Sequence, residues 1–207
     1  MAKFLAALTV LAVVASASAV PFLPGLNSYF PWKYGRCETN GYTYMKTFEP
    51  EKFFNGTWYE AISYGTFLFQ MDGKCPAFQS QISGNDVNFL FYQYSDALSK
   101  WLNIRGRGQL SDMNGSKFTI QYDFLAGLAN VKVPYSVMKT DYDNYAVFYS
   151  CQEVLGFKLE MAWGSTRVRG DKAYTAEMKQ AIEDAGLRMD EFAQNDSTGC
   201  GKDEPKL

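Results

Sequence analysis

From residue 56 onward, apolar and polar positions alternate in short runs separated by Gly, Asn, Asp and Ser. The runs are Thr57–Tyr64, Ala77–Ser83, Val87–Tyr94, Lys100–Gly108, Lys117–Tyr122, Lys132–Lys139, Tyr145–Cys151 and Phe157–Gly164. Successive side chains of a strand point to opposite faces, so alternation of this kind predicts half-buried strands. In KFTIQY, Phe118, Ile120 and Tyr122 share one face while Lys117, Thr119 and Gln121 share the other. Trp58, Ile62 and Tyr64 likewise share parity. Residues 89–92 (FLFY) are apolar on both faces, which predicts one face on an interior and the other beneath a loop or partner. Eight short strands at regular spacing predict an all-β sandwich or barrel. An antiparallel up-and-down β-barrel that closes on itself leaves no unpaired edge.

The period changes once. In Asp171–Ala185 the apolar residues Tyr174, Met178, Ala181, Ile182 and Ala185 follow i, i+4, i+7, i+8, i+11 spacing, and Gly186 stops the pattern. One C-terminal α-helix packed outside the sheet is expected. Residues 20–36, rich in Pro and aromatics, read as an extended arm, and 201–207 as a loose polar tail. Residues 1–19 carry Lys3, the apolar run Phe4–Val14 and the small-residue site Ala17-Ser18-Ala19. That is the pattern of a secretory signal, and the run is shorter than the ~20 residues a spanning helix needs. The expected organisation is a signal over 1–19, the arm over 20–36, one domain over 37–200 and the tail, with no membrane span.

Composition narrows the chemistry. The net charge of −2 offers no basic excess for phosphates, so nucleic acid is not an expected partner. The chain has no histidine, which removes Ser-His-Asp and Cys-His catalysis and histidine-held zinc. Four cysteines, Cys37, Cys75, Cys151 and Cys200, are an even number in a chain read as secreted, and imply two disulfides with three possible connectivities. No spacing suggests a metal site. Aromatic residues, 16% of the chain, favour strands and line apolar cavities. Asn55, Asn114 and Asn195 open N-x-S/T sequons; Asn114 is the best glycosylation candidate because residues 112–115 read as a turn.

Three short motifs then stand in order: Gly56-Thr57-Trp58, Thr140-Asp141-Tyr142 and a lone Arg167 after the eighth run. The combination resembles the signature of the lipocalin family over about residues 37–200. Within it, residues 140–147 (TDYDNYAV), Tyr149-Ser150-Cys151 and the late Cys200 are similar to the arthropod and apolipoprotein D branch, with crustacyanin subunits, insect bilin-binding proteins and cockroach lipocalins. The resemblance implies the pairing Cys37–Cys151 and Cys75–Cys200. It implies that Trp58 plugs the closed end and that Arg167 lies across it, bonding carbonyls near 53–55. Asp141 would cap the turn before the seventh strand. The aromatic arm before Cys37 departs from the pattern by its length.

An eight-stranded barrel of this kind, a calyx, holds one small ligand. Parity nominates Tyr64, Phe89, Phe91, Trp101, Ile120, Tyr122, Tyr135, Val137 and Tyr149 as its lining, with Tyr hydroxyls to orient a carbonyl or carboxylate. Lys100, Arg105 and Arg107 on the fourth run read either as partners for the propionates of a bilin or as ordinary solvated charges. The resemblance implies a bound chromophore, carotenoid or biliverdin-type bilin, and no catalytic cofactor. Fatty acid, retinoid and pheromone-like ligands are alternatives. A ligand-free interaction, storage or allergen-type lipocalin is another, with homo- or heterodimers formed through residues 29–34 and 89–94. Enzymatic activity is not expected, because the pattern commits all four cysteines to disulfides.

Overall fold

The computed structural model describes residues 32–37, 44–65, 73–124 and 129–207. The signal segment and most of the arm lie outside the described residues. After a three-residue strand β1 (Trp32–Tyr34) and a single helical turn α1 (Pro50–Phe53), eight strands follow: β2 (Gly56–Tyr64), β3 (Gly73–Ser83), β4 (Asp86–Ser95), β5 (Lys100–Gln109), β6 (Lys117–Phe124), β7 (Ala129–Thr140), β8 (Tyr145–Val154) and β9 (Phe157–Thr166). Helix α2 (Thr175–Asp184) and the short β10 (Ala193–Gln194) complete the chain. Each barrel strand pairs antiparallel with its successor, and β9 pairs back onto β2 through Tyr59–Thr166 to Tyr64–Ala162. The sheet is therefore closed, as alternation and turn spacing predict.

The arm contributes more than an extended wrap. Trp32–Tyr34 pairs with Phe157–Leu159, the half of β9 that β2 does not reach. The tail is also held, contrary to its polar composition. Gln79 Nε2 donates to the Pro205 carbonyl, the Leu207 amide donates to Gln79 Oε1, and Tyr92 donates to Glu204 at 2.9 Å. Arg169 pairs with Glu204 at 2.6 Å. The outer half of the doubly apolar run, Leu90 and Tyr92, packs with Ala77, Tyr59 and Trp101, and Glu204 reaches it through Tyr92.

Helix α2 starts at Thr175 rather than Asp171, because the Asp171 carboxylate accepts the Ala173 amide and holds 171–174 as a turn. Gly186, at φ +73°, closes the helix: its amide bonds Glu183 and the Leu187 amide bonds Ile182. Met178, Ala181, Ile182 and Ala185 are buried against Ile62, Met138, Val147 and Ala162 on the outer wall. Gly164 lets the helix approach: a Cβ there would stand 2.7 Å from Ile62 Cγ1 and 3.0 Å from Met178 Sδ. Gly164→Ala should therefore destabilise by about 1–3 kcal/mol through overpacking. Urea unfolding checks this, and an unchanged midpoint would mean that the contact relaxes freely.

The two disulfides are Cys37–Cys151 and Cys75–Cys200, with Cα–Cα distances of 5.7 Å each, and no cysteine is free. A register shift between Lys74 and Ala77 kinks β3 at Cys75, which stands at φ +61°. Its amide bonds the Asp196 carbonyl, so the kink presents Cys75 to the C-terminal segment.

Candidate functional site

The closed end of the barrel is built from the three motifs. Trp58 is fully buried, packed against the Phe53 ring at 5.4 Å with the planes tilted by 34°, and donates its indole N–H to the Phe53 carbonyl. Gly56 turns the chain into β2 at φ +95°. Arg167 Cζ lies 3.7 Å from the Trp58 ring centroid. The same guanidinium donates to the carbonyls of Lys52, Phe53, Asn55, Thr57 and Tyr142. Burial lowers the Arg167 pKa to about 10, still far above neutrality, so it stays charged. Thr140 Oγ1 donates to the Tyr145 carbonyl and accepts the Tyr142 amide.

Asp141 accepts the amides of Asn144 and Tyr145 and the Asn144 side chain. Burial pushes its carboxyl up, but these hydrogen bonds outweigh that and hold it below 3.8. A carboxyl depressed on folding contributes stability above its unfolded pKa and loses it as pH falls through the folded value. Asp141→Asn should therefore flatten the acid limb of the Tm profile below about pH 4. Thermal melts of both proteins from pH 2 to 6 check it, and parallel profiles would remove Asp141 from the acid transition.

Above the plug, the interior is packed with rings. Phe89 and Phe118 are near parallel (3°) at 6.0 Å, Phe118 and Tyr135 lie at 5.6 Å, and Phe78 and Phe91 at 5.3 Å. The cavity left among them is about 10 Å³, room for roughly one water. Its lining is Glu60, Phe78, Phe89, Phe91, Phe118, Ile120, Tyr135, Phe148, Trp163 and Ser165. The Tyr122 and Tyr135 hydroxyls bond each other at 2.8 Å inside the wall. Burial raises both phenols, with the field of Glu60 acting in the same direction. Any guest must displace rings to enter.

Six of the nine lining residues expected from the sequence face this interior: Phe89, Phe91, Ile120, Tyr122, Tyr135 and Val137. Tyr64, Trp101 and Tyr149 do not. A bulge between Glu60 and Ile62 inverts β2, so Trp58 points in while Ile62 and Tyr64 point out. In β8 the inward residues are Ala146 and Phe148, which leaves Tyr149 outside. Both tyrosines donate instead to Glu160 on the outer wall, at 3.3 and 2.8 Å, and burial pushes the Tyr64 phenol up to about 12. Trp101 packs outside against Tyr92 and Tyr94. The basic residues of β5 also turn away: Arg105 bonds the Lys206 carbonyl, Arg107 pairs with Asp123 at 3.3 Å, and Lys100 is exposed.

Phe78, Phe118, Phe148, Trp163, Ser165 and Glu60 line the cavity in addition to the residues that parity nominates. Phe118 was already on the Ile120 face. Glu60 shares Trp58's parity, and its charge hid it. Of the sequons, Asn55 and Asn114 are exposed, whereas Asn195 Nδ2, the atom a glycan would need, is buried. This removes Asn195 as an acceptor in the folded state.

A closed eight-stranded calyx, plugged by a Trp–Arg pair and flanked by one helix, defines a ligand-binding barrel of the lipocalin type. The nitrophorin family model matches residues 37–207, and the chain belongs to that family within the lipocalins. It is 24% identical to apolipoprotein D from Macaca fascicularis over 186 residues, 88% of this chain and 94% of that protein. Apocrustacyanin C1 superposes with a TM-score of 0.65 at 17% identity, over 82% of this chain and 93% of that one. The amine binding protein of Rhodnius prolixus, in its tryptamine complex, superposes with a TM-score of 0.64 at 20% identity, over 76% and 85%. At these identities the structural likeness shows the fold alone. Family membership places the chain among carriers rather than enzymes.

Haem iron takes His, thiolate, Met or Tyr as axial ligand. With no histidine and all four cysteines in disulfides, a histidine- or thiolate-held haem finds no ligand here. Among the described residues there is no cluster of three His, Cys, Asp or Glu fit for a metal, and no helix long and apolar enough to cross a membrane.

Proposed function

We propose that this protein is a secreted carrier that binds one small hydrophobic ligand inside the aromatic calyx. The observation that supports it most directly is the interior itself, where eight of the ten cavity-lining residues are apolar or aromatic. Such a surface, with few polar groups, is what an apolar guest requires. Residues 1–19 act as the secretory signal, residues 37–200 form the binding domain, and the disulfides suit an oxidising compartment. Asn114, exposed in a tight turn, is the glycan acceptor of choice. The finer version of the reading is a pigment, carotenoid or bilin. The stacked rings suit a flat conjugated guest, though the small cavity means that several must swing aside for it.

Native mass spectrometry and an absorbance spectrum of protein from its source decide between these. A visible band that vanishes on unfolding supports the pigment. A colourless complex of defined extra mass moves the ligand to the fatty-acid, retinoid or pheromone class. Absence of any bound mass, with no uptake of added apolar probe, overturns the carrier and leaves a ligand-free interaction role. The same spectra report whether the protein is a monomer or a dimer.

A further inference from the structure

Exposed apolar side chains gather at one end of the barrel. β2 runs away from the Trp58 plug, so the β4–β5, β6–β7 and β8–β9 turns ring the opposite end, the mouth of the calyx. Among the described residues eight large hydrophobics are exposed, and six lie at that end: Tyr34, Leu98, Val131, Val154, Leu155 and Phe157. Leu98 lies in the β4–β5 turn and Leu155 at the tip of the β8–β9 hairpin. Tyr34 meets Phe157 edge to face at 6.0 Å, so arm and hairpin share one patch. Leu155 is ill suited to its own turn. Between the paired Val154 and Phe157, Leu155 stands at φ +52° and Gly156 at +84°. A two-residue hairpin turn with both φ positive favours Asn-Gly, and a bulky residue there is strained. Local folding therefore does not account for a leucine that is 90% exposed at the apex.

The free charges beside these tips are mostly basic. Arg36 follows Gly35, whose amide bonds the Gly156 carbonyl. Lys132 accepts the Gln152 side chain at its carbonyl, two residues before Val154, and Lys100 stands two residues after Leu98. All three are exposed, and among the described residues none forms an ion pair. The acids Asp96 and Asp123 at the same end are neutralised by Lys74 and Arg107, which leaves Glu153, bonded to the Cys37 amide, against them. We propose that the mouth docks on an anionic phospholipid surface. The Leu98 and Leu155 tips enter the acyl boundary, while Arg36, Lys100 and Lys132 meet the headgroups. Tyr34 suits that boundary, with an apolar ring and a polar tip. Separate apolar tips suit a deformable lipid layer, whereas a protein partner needs one closely packed interface core. Docking brings the mouth against the bilayer, so an apolar guest passes between them without crossing water. The inference goes beyond the carrier reading and does not depend on it, because vesicle binding needs no guest.

The test floats the full secreted chain, disulfides intact, with vesicles of phosphatidylcholine alone or with about one-third phosphatidylserine. The protein should bind the anionic vesicles more tightly than the neutral ones, and less tightly as salt is added. Leu155→Asn should lower the partition about 10-fold or more, because the tip loses its apolar burial. Its thermal midpoint should hold or rise, since Asn accepts the left-handed turn, and this shows that the variant is folded. Lys132→Glu should cost about 5-fold or more on the anionic vesicles. Val168→Asn, an exposed apolar residue just after β9 at the plugged end, should bind like the parent. No binding to anionic vesicles, or binding that Leu155→Asn leaves intact, overturns the proposal. Dimerisation that Leu155→Asn abolishes, without vesicle binding, also overturns it and assigns the patch to a second copy of the chain. The carrier reading is decided by bound mass, separately from all of these results.

Discussion

Arg167→Ala is expected to lower the thermal midpoint by about 10 °C. The guanidinium caps the Trp58 ring at 3.7 Å and serves five carbonyls drawn from α1, the entry to β2 and the turn after β7. A partly desolvated cation–π contact is worth about 1–2 kcal/mol. Loss of the donors to the more buried carbonyls adds a similar amount or more, since an acceptor stripped of its partner costs about 1–3 kcal/mol. The sum, about 3–5 kcal/mol, sits at the upper end of single substitutions. A chain of this size loses roughly 2–4 °C per kcal/mol. Arg167→Lys separates the two contributions. A lysine keeps a cation over the indole but lacks the planar fork that spans several carbonyls, so it should restore only about 1–2 kcal/mol. Calorimetric melts of the three proteins decide. An Arg167→Ala midpoint within about 2 °C of the parent would mean that Phe53 and Phe54 hold the plug without it.

That clasp was readable from the chain because it depends on residue types that do little else. A tryptophan two residues after a strand-opening glycine, and an arginine just past the last strand, have few other uses in a small barrel. The strand pattern was readable for the same reason, and β4 differs from its sequence reading only by a residue at each end. The wall was less legible where the period of two breaks. The bulge in β2 adds one residue between Glu60 and Ile62, and no local composition marks it, so Tyr64 was placed on the wrong side. A second shift, between Val137 and Lys139, pairs Lys139 with outward-facing Val147, so Lys139 follows Met138 to the outer side instead of returning to the inner face of Val137. Tyr149 lies in a strand apolar on both faces, where burial outside under α2 looks the same as burial inside, whereas Trp101 shares its face of β5 with Asn103, Arg105 and Arg107, a polar pattern that points it outward. Glu60 escaped notice because a charged residue on an inward face reads as an exception. The tail misleads for the converse reason: among its mostly exposed charges, Glu204 is held by Arg169 and Tyr92.

The held tail bears on the second large effect. Replacing Cys75 and Cys200 together by serine should cost about 5 kcal/mol, because the bond closes a loop of 125 residues that the unfolded chain must otherwise search. The Cys37–Cys151 bond closes 114 residues, and chain entropy alone makes the two losses equal to within about 0.1 kcal/mol. Any difference between the double variants therefore comes from native contacts. Cys200 is four residues from Glu204, whose carboxylate joins Arg169 to Tyr92, and seven from Leu207, whose amide bonds Gln79. With the anchor cut, those contacts must each be made by a free chain end, and the patch formed by Ala77, Leu90 and Tyr92 loses the contact that reaches it. Breaking Cys75–Cys200 should thus cost more than breaking Cys37–Cys151, by about 1–2 kcal/mol for the paired, partly buried Glu204. Urea unfolding of both double variants measures the difference, and hydrogen exchange at the Leu207 amide locates it. Equal losses with an unchanged Leu207 amide would show that the tail docks by itself and that the bond acts only on the unfolded chain.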